Sequence, residues 1–191
     1  MRRMRIAAAL SAALVSAALP RAAGAAGSFT ADPGTSRLEF TGVQAGAEFK
    51  GVFHKFTAAI DFAPDALAAA KFDVVIDLSS EDTMDKDRDG TIRGADIFDV
   101  AHFPTAHYVT RSFTKTAAGY TALGSLTLRG VTKDVPIAFK YSPAAAGGAT
   151  LSGTAELKRL DFGVGRGDWK STEWVADAVK VAFTLNLKAK P

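Results

Sequence analysis

Apolar and polar residues alternate along most of the chain with the two-residue period of half-buried β-strands. Lys71 to Leu78 is the cleanest instance: Phe72, Val74, Ile76 and Leu78 share one face, and Lys71, Asp73 and Asp77 the other. The C-terminal segment repeats the pattern at greater length. Val175, Val179, Val181, Phe183, Leu185 and Leu187 lie on one face, opposite Lys180, Thr184, Asn186 and Lys188, with Asp177 the exception in the apolar row. Six further segments carry strand signals: Arg37–Gln44, Phe49–Phe62, His107–Lys115, Tyr120–Arg129, Val135–Tyr141 and Thr150–Leu160. Together they predict eight strands. Turn residues separate them at Pro64-Asp65, Ala118-Gly119, Gly130 and Ala146-Gly147-Gly148.

Two details sharpen the picture. Phe49–Phe62 is long, and its parity slips: Gly51 and Phe53 are on one register, Phe56, Ile60 and Phe62 on the other. A bulge or bend near His54-Lys55 returns both sets to one side. Pro136 marks an edge, or a position whose missing N–H the ladder does not need. Long, bent, antiparallel strands favour closure into a barrel, which removes exposed edges. The expected fold is therefore all-β, an eight-stranded antiparallel barrel with one short helical crossing segment. Such a barrel encloses packed side chains or one small ligand. Its expected interior and mouth residues are Phe40, Phe53, Phe56, Val74, Ile76, Leu126, Leu128, Val181 and Phe183, joined by Phe98, Phe103, Trp169 and Trp174 from the loops. Aromatic residues at a barrel rim gate a pocket or simply pack over its end.

Ser79–Pro104 breaks the alternation. It is dense in charge, and Ile92, Ile97 and Phe98 fall at helical spacing, so it reads as a loop and short helix across one mouth. Within it, Asp85-Lys86-Asp87-Arg88-Asp89-Gly90 matches the first half of an EF-hand calcium loop. Asp85, Asp87 and Asp89 are thus a weak alternative metal site. Asp96 at the twelfth position is too short for the usual bidentate Glu, and Arg93 interrupts the ligand set. A solvated charged turn, with no metal, is the expectation.

Composition changes the picture at the N-terminus. Arg2, Arg3 and Arg5 precede an uncharged run from Ile6 to Leu19, followed by Ala22-Ala23-Gly24-Ala25-Ala26. This is the layout of a cleavable signal peptide over residues 1–25, and the run is short of the roughly 20 residues a membrane span needs. Export to the periplasm follows as an expectation, with residues 26–191 forming a single domain. No later stretch is long and apolar enough to span a bilayer. Four of the 23 basic residues (Arg2, Arg3, Arg5, Arg21) lie in the leader and no acid precedes Asp32, leaving 19 basic against 20 acidic residues. The basic balance is therefore a leader property and gives no argument for nucleic-acid binding. There is no cysteine, so the domain rests on its core alone.

Candidate chemistry is sparse. His54, His102 and His107 do not have zinc-site spacing. Nucleophile-elbow, phosphate-loop and dinucleotide signatures are missing, so no enzyme activity, catalytic residue or cofactor is expected. Gly163-Val164-Gly165-Arg166-Gly167 reads as a flexible loop at a barrel end; an anion-binding nest of amides is the alternative.

Several stretches, in order, resemble the YceI-like family of exported lipocalin-like barrels. They are Asp32-Pro33-Gly34-Thr35-Ser36 before Leu38-Glu39-Phe40; Gly51-Val52-Phe53 with Phe56; Ser80-Glu81-Asp82-Thr83; Arg88-Asp89; Ile92-Arg93 with Asp96-Ile97-Phe98-Asp99; Phe103-Pro104; Gly124 through Lys133; and Arg159-Leu160-Asp161-Phe162-Gly163. Gly90, Gly94 and Ile97 depart from the usual family form. The resemblance implies an eight-stranded barrel holding a polyisoprenoid or similar long-chain amphiphile. It also implies that the acidic segment is the helical crossing and not a calcium loop. Arg93, Arg111 and Arg166 are the head-group candidates for an anionic lipid. A binding or inhibitor module acting through its surface on a protein partner is the alternative. Assembly as a homodimer stays open.

Overall fold

The computed structural model describes residues 27–190, so the expected leader and its cleavage point lie outside the described residues. The alternating segments are strands: β1 (Gly27–Ala31), β2 (Arg37–Gln44), β3 (Ala47–Phe53), β4 (Phe56–Phe62), β5 (Lys71–Asp77), a two-residue β6 (Glu81–Asp82), then β7 (Thr105–Thr116), β8 (Gly119–Leu128), β9 (Val131–Pro143), β10 (Ala149–Lys158) and β11 (Ala178–Ala189). Every pairing is antiparallel. The ladder runs β1-β4-β5-β7-β8-β9-β10-β11 and returns to β1. β2 continues β1 along the same neighbour, β11, and β3 continues into β4, so each pair is one interrupted strand. The result is a closed eight-stranded barrel.

The interruption between β3 and β4 falls at His54-Lys55. Both backbone amides there turn to Ser80, His54 N–H donating to its carbonyl (3.1 Å) and Lys55 N–H to its hydroxyl (3.0 Å). Phe53 and Phe56 consequently both reach the interior. The first strand departs from expectation. It starts at Gly27, and an out-looped turn at residues 32–36 separates it from β2. With one large apolar side chain, Phe29, in Gly27–Ala31, no periodicity marks it. Pro136 lies opposite Leu123 on β8, and the β9–β10 ladder begins beyond it at Ala138.

The two ends of the barrel differ. At one end Phe62 is the hub of an aromatic plug, with Tyr120 and Tyr141 at 5.0 Å, Phe139 at 5.4 Å, Phe113 at 5.9 Å and Phe72 at 6.0 Å between ring centroids. The pairs are tilted or edge-on, the arrangement ring quadrupoles favour. Phe62 and Phe72 are fully buried. This end is solid core.

The other end carries a roof. Residues 79–104 contribute α1 (Lys86–Arg93), capped by Asp85, whose Oδ1 accepts from Asp87 N–H and Arg88 N–H at 3.1 Å. The calcium-loop alternative is corrected here: the three alternating carboxylates ride on a helix start and do not converge. Asp85 is the cap, Asp87 is exposed, and Asp89 is buried, accepting from Thr83 N–H (2.9 Å) and Oγ1 (2.6 Å). Of the apolar stripe, Ile92 lies on the helix, while Ile97 and Phe98 follow it in turns.

Buried arginines latch the roof. Arg129 donates to the carbonyls of Ile97 (2.6 Å) and Ala95 (2.7 Å). Residues 94–104 are in turn tied to the 162–176 loop, because Gly165 N–H and Arg166 N–H both donate to Asp96 O, at 2.9 and 2.8 Å. The anion-nest alternative fails for the same reason: those amides already have an acceptor. The β2–β3 tip is held through Ala45 N–H to Trp174 O (2.7 Å) and Ala176 N–H to Val43 O (3.0 Å). Among the described residues, no helix is long and apolar enough to cross a membrane.

Candidate functional site

Between the aromatic plug and the roof lies a cavity of about 530 Å³, in the range of small-molecule sites. Its walls are the inward rows of the strands. Phe40 (β2), Phe53 (β3), Phe56 (β4), Val74 and Ile76 (β5), Leu126 and Leu128 (β8), Val181 and Phe183 (β11) all line it. Phe98 and Trp169 line it from the roof. Phe53, Phe56, Val74, Ile76, Val181 and Phe183 are only half-buried because they face open space inside the barrel. Gly51 makes room for this wall: a Cβ there would sit 2.3 Å from the Phe40 ring.

Five of the expected site residues are elsewhere. Phe103 packs toward Gly130, and Trp174 is 67% exposed on the rim. The three head-group arginines are all displaced from the cavity lining. Arg93 Nε lies 2.8 Å from Glu81 Oε1, and its Nη2 donates to Glu81 O at 2.7 Å. Arg111 is on the outer wall, paired with Asp134, and Arg166 is exposed. Strand parity put the wall residues on the face that lines the cavity, but loop residues have no parity, and a positive charge in sequence does not reveal its partner.

The lining also contains residues that alternation did not single out. Tyr108 faces the cavity and its hydroxyl donates to Val135 O at 3.0 Å; burial pushes this phenol well above the ordinary range. Arg159 is 6% exposed and spends all five N–H groups on main-chain carbonyls: Ala176 (3.1 Å), Val164 (2.9 Å), Trp169 (2.7 Å), Ser171 (3.1 Å) and Val175 (2.8 Å). Burial lowers its pKa, with Asp177 opposing. It is a scaffold for the 162–176 loop, with no donor left for a ligand. Gly165 has φ +109°, and a Cβ there would lie 2.0 Å from Arg159 Nη1, so a glycine is required where the loop wraps the guanidinium.

Apart from Tyr108 and Arg159, whose polar atoms are bonded to main-chain carbonyls, the polar lining residues are Gln44, Asp85, Asp87, Arg88 and Thr91, at the mouth. The Arg88 guanidinium lies over the Phe49 ring, 4.6 Å from its centroid, and Nη2 donates to Asp85 Oδ2 at 3.3 Å. The histidines are each beside a carboxylate instead of forming a site: His54 with Asp82 (3.2 Å), His102 with Asp99 (2.8 Å) and His107 with Asp73 (2.8 Å). Among the described residues, no three His, Cys, Asp or Glu side chains are grouped as a metal site.

A closed barrel, plugged at one end and roofed over an apolar cavity at the other, defines a lipocalin-like eight-stranded fold. The YceI-like domain model matches residues 29–187. The chain belongs to the YceI-like family. BcnA of Burkholderia cenocepacia is similar with a TM-score of 0.77 and 31% identity, over 83% of this chain and 99% of that one. A polyisoprenoid-binding domain from Saccharophagus degradans shares the fold, with a TM-score of 0.65 and 18% identity over 85% of this chain and 98% of that one. A UPF0312 protein of Yersinia enterocolitica is 34% identical over 119 residues, 60% of this chain. The match spans 62% of that relative's length.

Proposed function

We propose that this protein is an exported, periplasmic carrier or sequestering protein that holds a polyisoprenoid or similar long-chain amphiphile inside its barrel, without catalysis. The observation that carries the reading is the cavity of about 530 Å³ walled by Phe, Leu, Ile and Val, with polar side chains confined mainly to its mouth. Water gains little in such a space. An alkyl or isoprenyl chain gains roughly 25 cal/mol for each Å² of apolar surface it hides there. The polyisoprenoid-binding domain of Saccharophagus degradans, which has the same fold, supports the choice of ligand.

Trp169 lines the cavity, so its emission reports occupancy; Trp174, on the rim, is replaced by phenylalanine to remove its background. Adding a long-chain polyprenol to delipidated Trp174→Phe protein is expected to change Trp169 emission saturably, at one equivalent. Emission that stays unchanged up to the solubility of the polyprenol would contradict the reading.

The surface-module alternative draws on two strongly exposed apolar side chains, Met84 (90%) and Trp174 (67%). Replacing both with serine separates the readings. A carrier keeps its lipid uptake, whereas a surface module loses its partner and never had an uptake to keep.

A further inference from the structure

Resting on the lipid reading above, we infer that the roof is a proton-coupled clasp: it closes over the cavity with the Glu81 carboxyl protonated and opens with release of that proton to water, so that a bound amphiphile exchanges more slowly in mild acid than at neutral pH. The Glu81 side chain is 0% exposed, and neither of its carboxyl oxygens has a hydrogen-bond partner. Arg88, Arg93 and Arg129 also bury an unpartnered Nε, but each of them bonds through an Nη. Among the described residues, Glu81 is thus the buried charged side chain left without any hydrogen bond. A carboxylate in that position is costly, and taking up a proton removes the charge.

The fold ties this carboxyl to the part that must move. The plugged end of the barrel is solid, so exchange runs through the roof. α1 lines the cavity there with Arg88, Thr91 and Ile92, and it is fastened to β6 and the residue after it. Arg93 Nη2 donates to Glu81 O at 2.7 Å, and Asp89 accepts from Thr83 N–H and Oγ1. Lifting α1 therefore wets Glu81. Two charged groups face the carboxyl, both from α1: Arg93, with Nε 2.8 Å from Oε1, and Asp89. On β3 the face shared with Glu81 carries Gly51 and Phe53; Glu48 and Lys50 share the opposite face with Val52, the partner of Asp82, which His54 holds. Residues 78–80 are uncharged. In the roof turns Asp96 and Asp99 lie by Arg129, and Asp99 also by His102. Burial outweighs the attraction of Arg93 and raises the Glu81 pKa. Once wetted, the carboxyl titrates near the ordinary value of about 4.3. Opening is therefore least favoured below that pH, grows with pH as the proton leaves, and levels off above the raised value.

Opening is read without lipid, from hydrogen–deuterium exchange of the α1 amides (Lys86–Arg93) in delipidated wild type and Glu81→Gln at each pH, so that intrinsic exchange chemistry and histidine titration cancel. From about pH 5 to about pH 7.5 the wild-type helix is expected to open severalfold more relative to Glu81→Gln, by no more than about tenfold per pH unit, the limit for one proton. Asp73, Asp77, Asp82 and Asp99 titrate below this range. Arg93→Gln, which removes the one cation facing the carboxyl, is expected to extend the rise to higher pH. Ligand release is read from Trp169 emission in a Trp174→Phe background, by mixing protein loaded with geranylgeraniol with excess phosphatidylcholine vesicles. Release is expected to be severalfold slower at about pH 5 than at about pH 7.5, and slow at both in Glu81→Gln. The inference is overturned if the two proteins keep a constant ratio of α1 exchange across this range, or if bound geranylgeraniol leaves as fast in mild acid as at neutral pH. Should Glu81→Gln fail to fold, the carbon-13 resonance of the wild-type Glu81 carboxyl decides: a midpoint at or below about 4.3 overturns the inference, and a higher one upholds it. If geranylgeraniol does not bind, the lipid reading falls, and the α1 comparison still decides whether the roof is coupled to the proton.

Discussion

Replacing Arg159 by methionine tests whether one buried side chain shapes the roof. Methionine keeps the apolar stem and removes five donors, leaving the carbonyls of Val164, Trp169, Ser171, Val175 and Ala176 without them. The bond to Val164 O is buried, and the other four are partly buried. An acceptor stranded away from water costs about 1–3 kcal/mol, while one that rewets costs little. Relief from burying an unpaired guanidinium offsets part of the loss. Taking the buried acceptor in full and the rest at a fraction gives about 3 kcal/mol. For a domain of this size that corresponds to roughly 6–12 °C in Tm if the loop unfolds with the barrel. If the loop opens alone, the loss appears as faster amide exchange across residues 163–176. Circular dichroism melts and hydrogen–deuterium exchange on delipidated protein cover both routes. Arg159→Lys should behave nearly as badly, because three donors on a flexible stem cannot reach five carbonyls. A methionine variant melting within about 2 °C of wild type, with unchanged exchange over that loop, would refute the argument.

Val74→Phe places a ring in the cavity from mid-strand β5, between Ala58 and Tyr108 of the neighbouring strands; delipidated stability should hold or rise while lipid per mole falls, and a loss of about 1–3 kcal/mol would instead indicate a packed interior. Calcium at millimolar concentration should leave Tm unchanged, since Asp85 is occupied as a helix cap and Asp89 by Thr83; calorimetric binding tighter than roughly 10⁻⁵ M would contradict this. Acid should destabilise the fold. His107 beside Asp73, Ser79 beside Asp77, the Met84 amide beside Asp82 and His102 beside Asp99 hold these carboxyls below the usual range. Their contribution is present above about pH 4 and is lost as the pH falls through the lowered values. Burial pushes Glu81 the other way, so its protonation offsets part of the loss. A melting temperature unchanged from pH 5 to pH 2 would show that these contacts do not contribute.

The barrel wall was legible because alternation reports which side chains share a face. The parity slip in Phe49–Phe62 located the bend at His54-Lys55 for the same reason. Alternation cannot say which part of the interior is filled. The inward row of β9 runs from Val135 and Ile137 at the cavity to Phe139 in the aromatic plug with no change of pattern. The mouth was harder still. Trp169 and Trp174 look equivalent in sequence, yet Arg159 draws in the carbonyl of Trp169, while Trp174 stays on the rim. Two of the head-group arginines were misplaced because each found a partner that only the folded chain brings near, Glu81 for Arg93 and Asp134 for Arg111, while the third, Arg166, is exposed. Arg88 looked like part of a charged turn until α1 and Phe49 fixed it at the mouth.

The central claim is that the barrel holds an amphiphile and not a solid core. Native mass spectrometry of protein purified from its own cells without detergent or organic solvent tests it most directly. The expected result is a second species heavier than the bare chain by one long-chain isoprenoid or similar lipid, released on collisional activation and lost in Val74→Phe. A bare chain alone, in protein that also fails to take up added polyprenol, would contradict it.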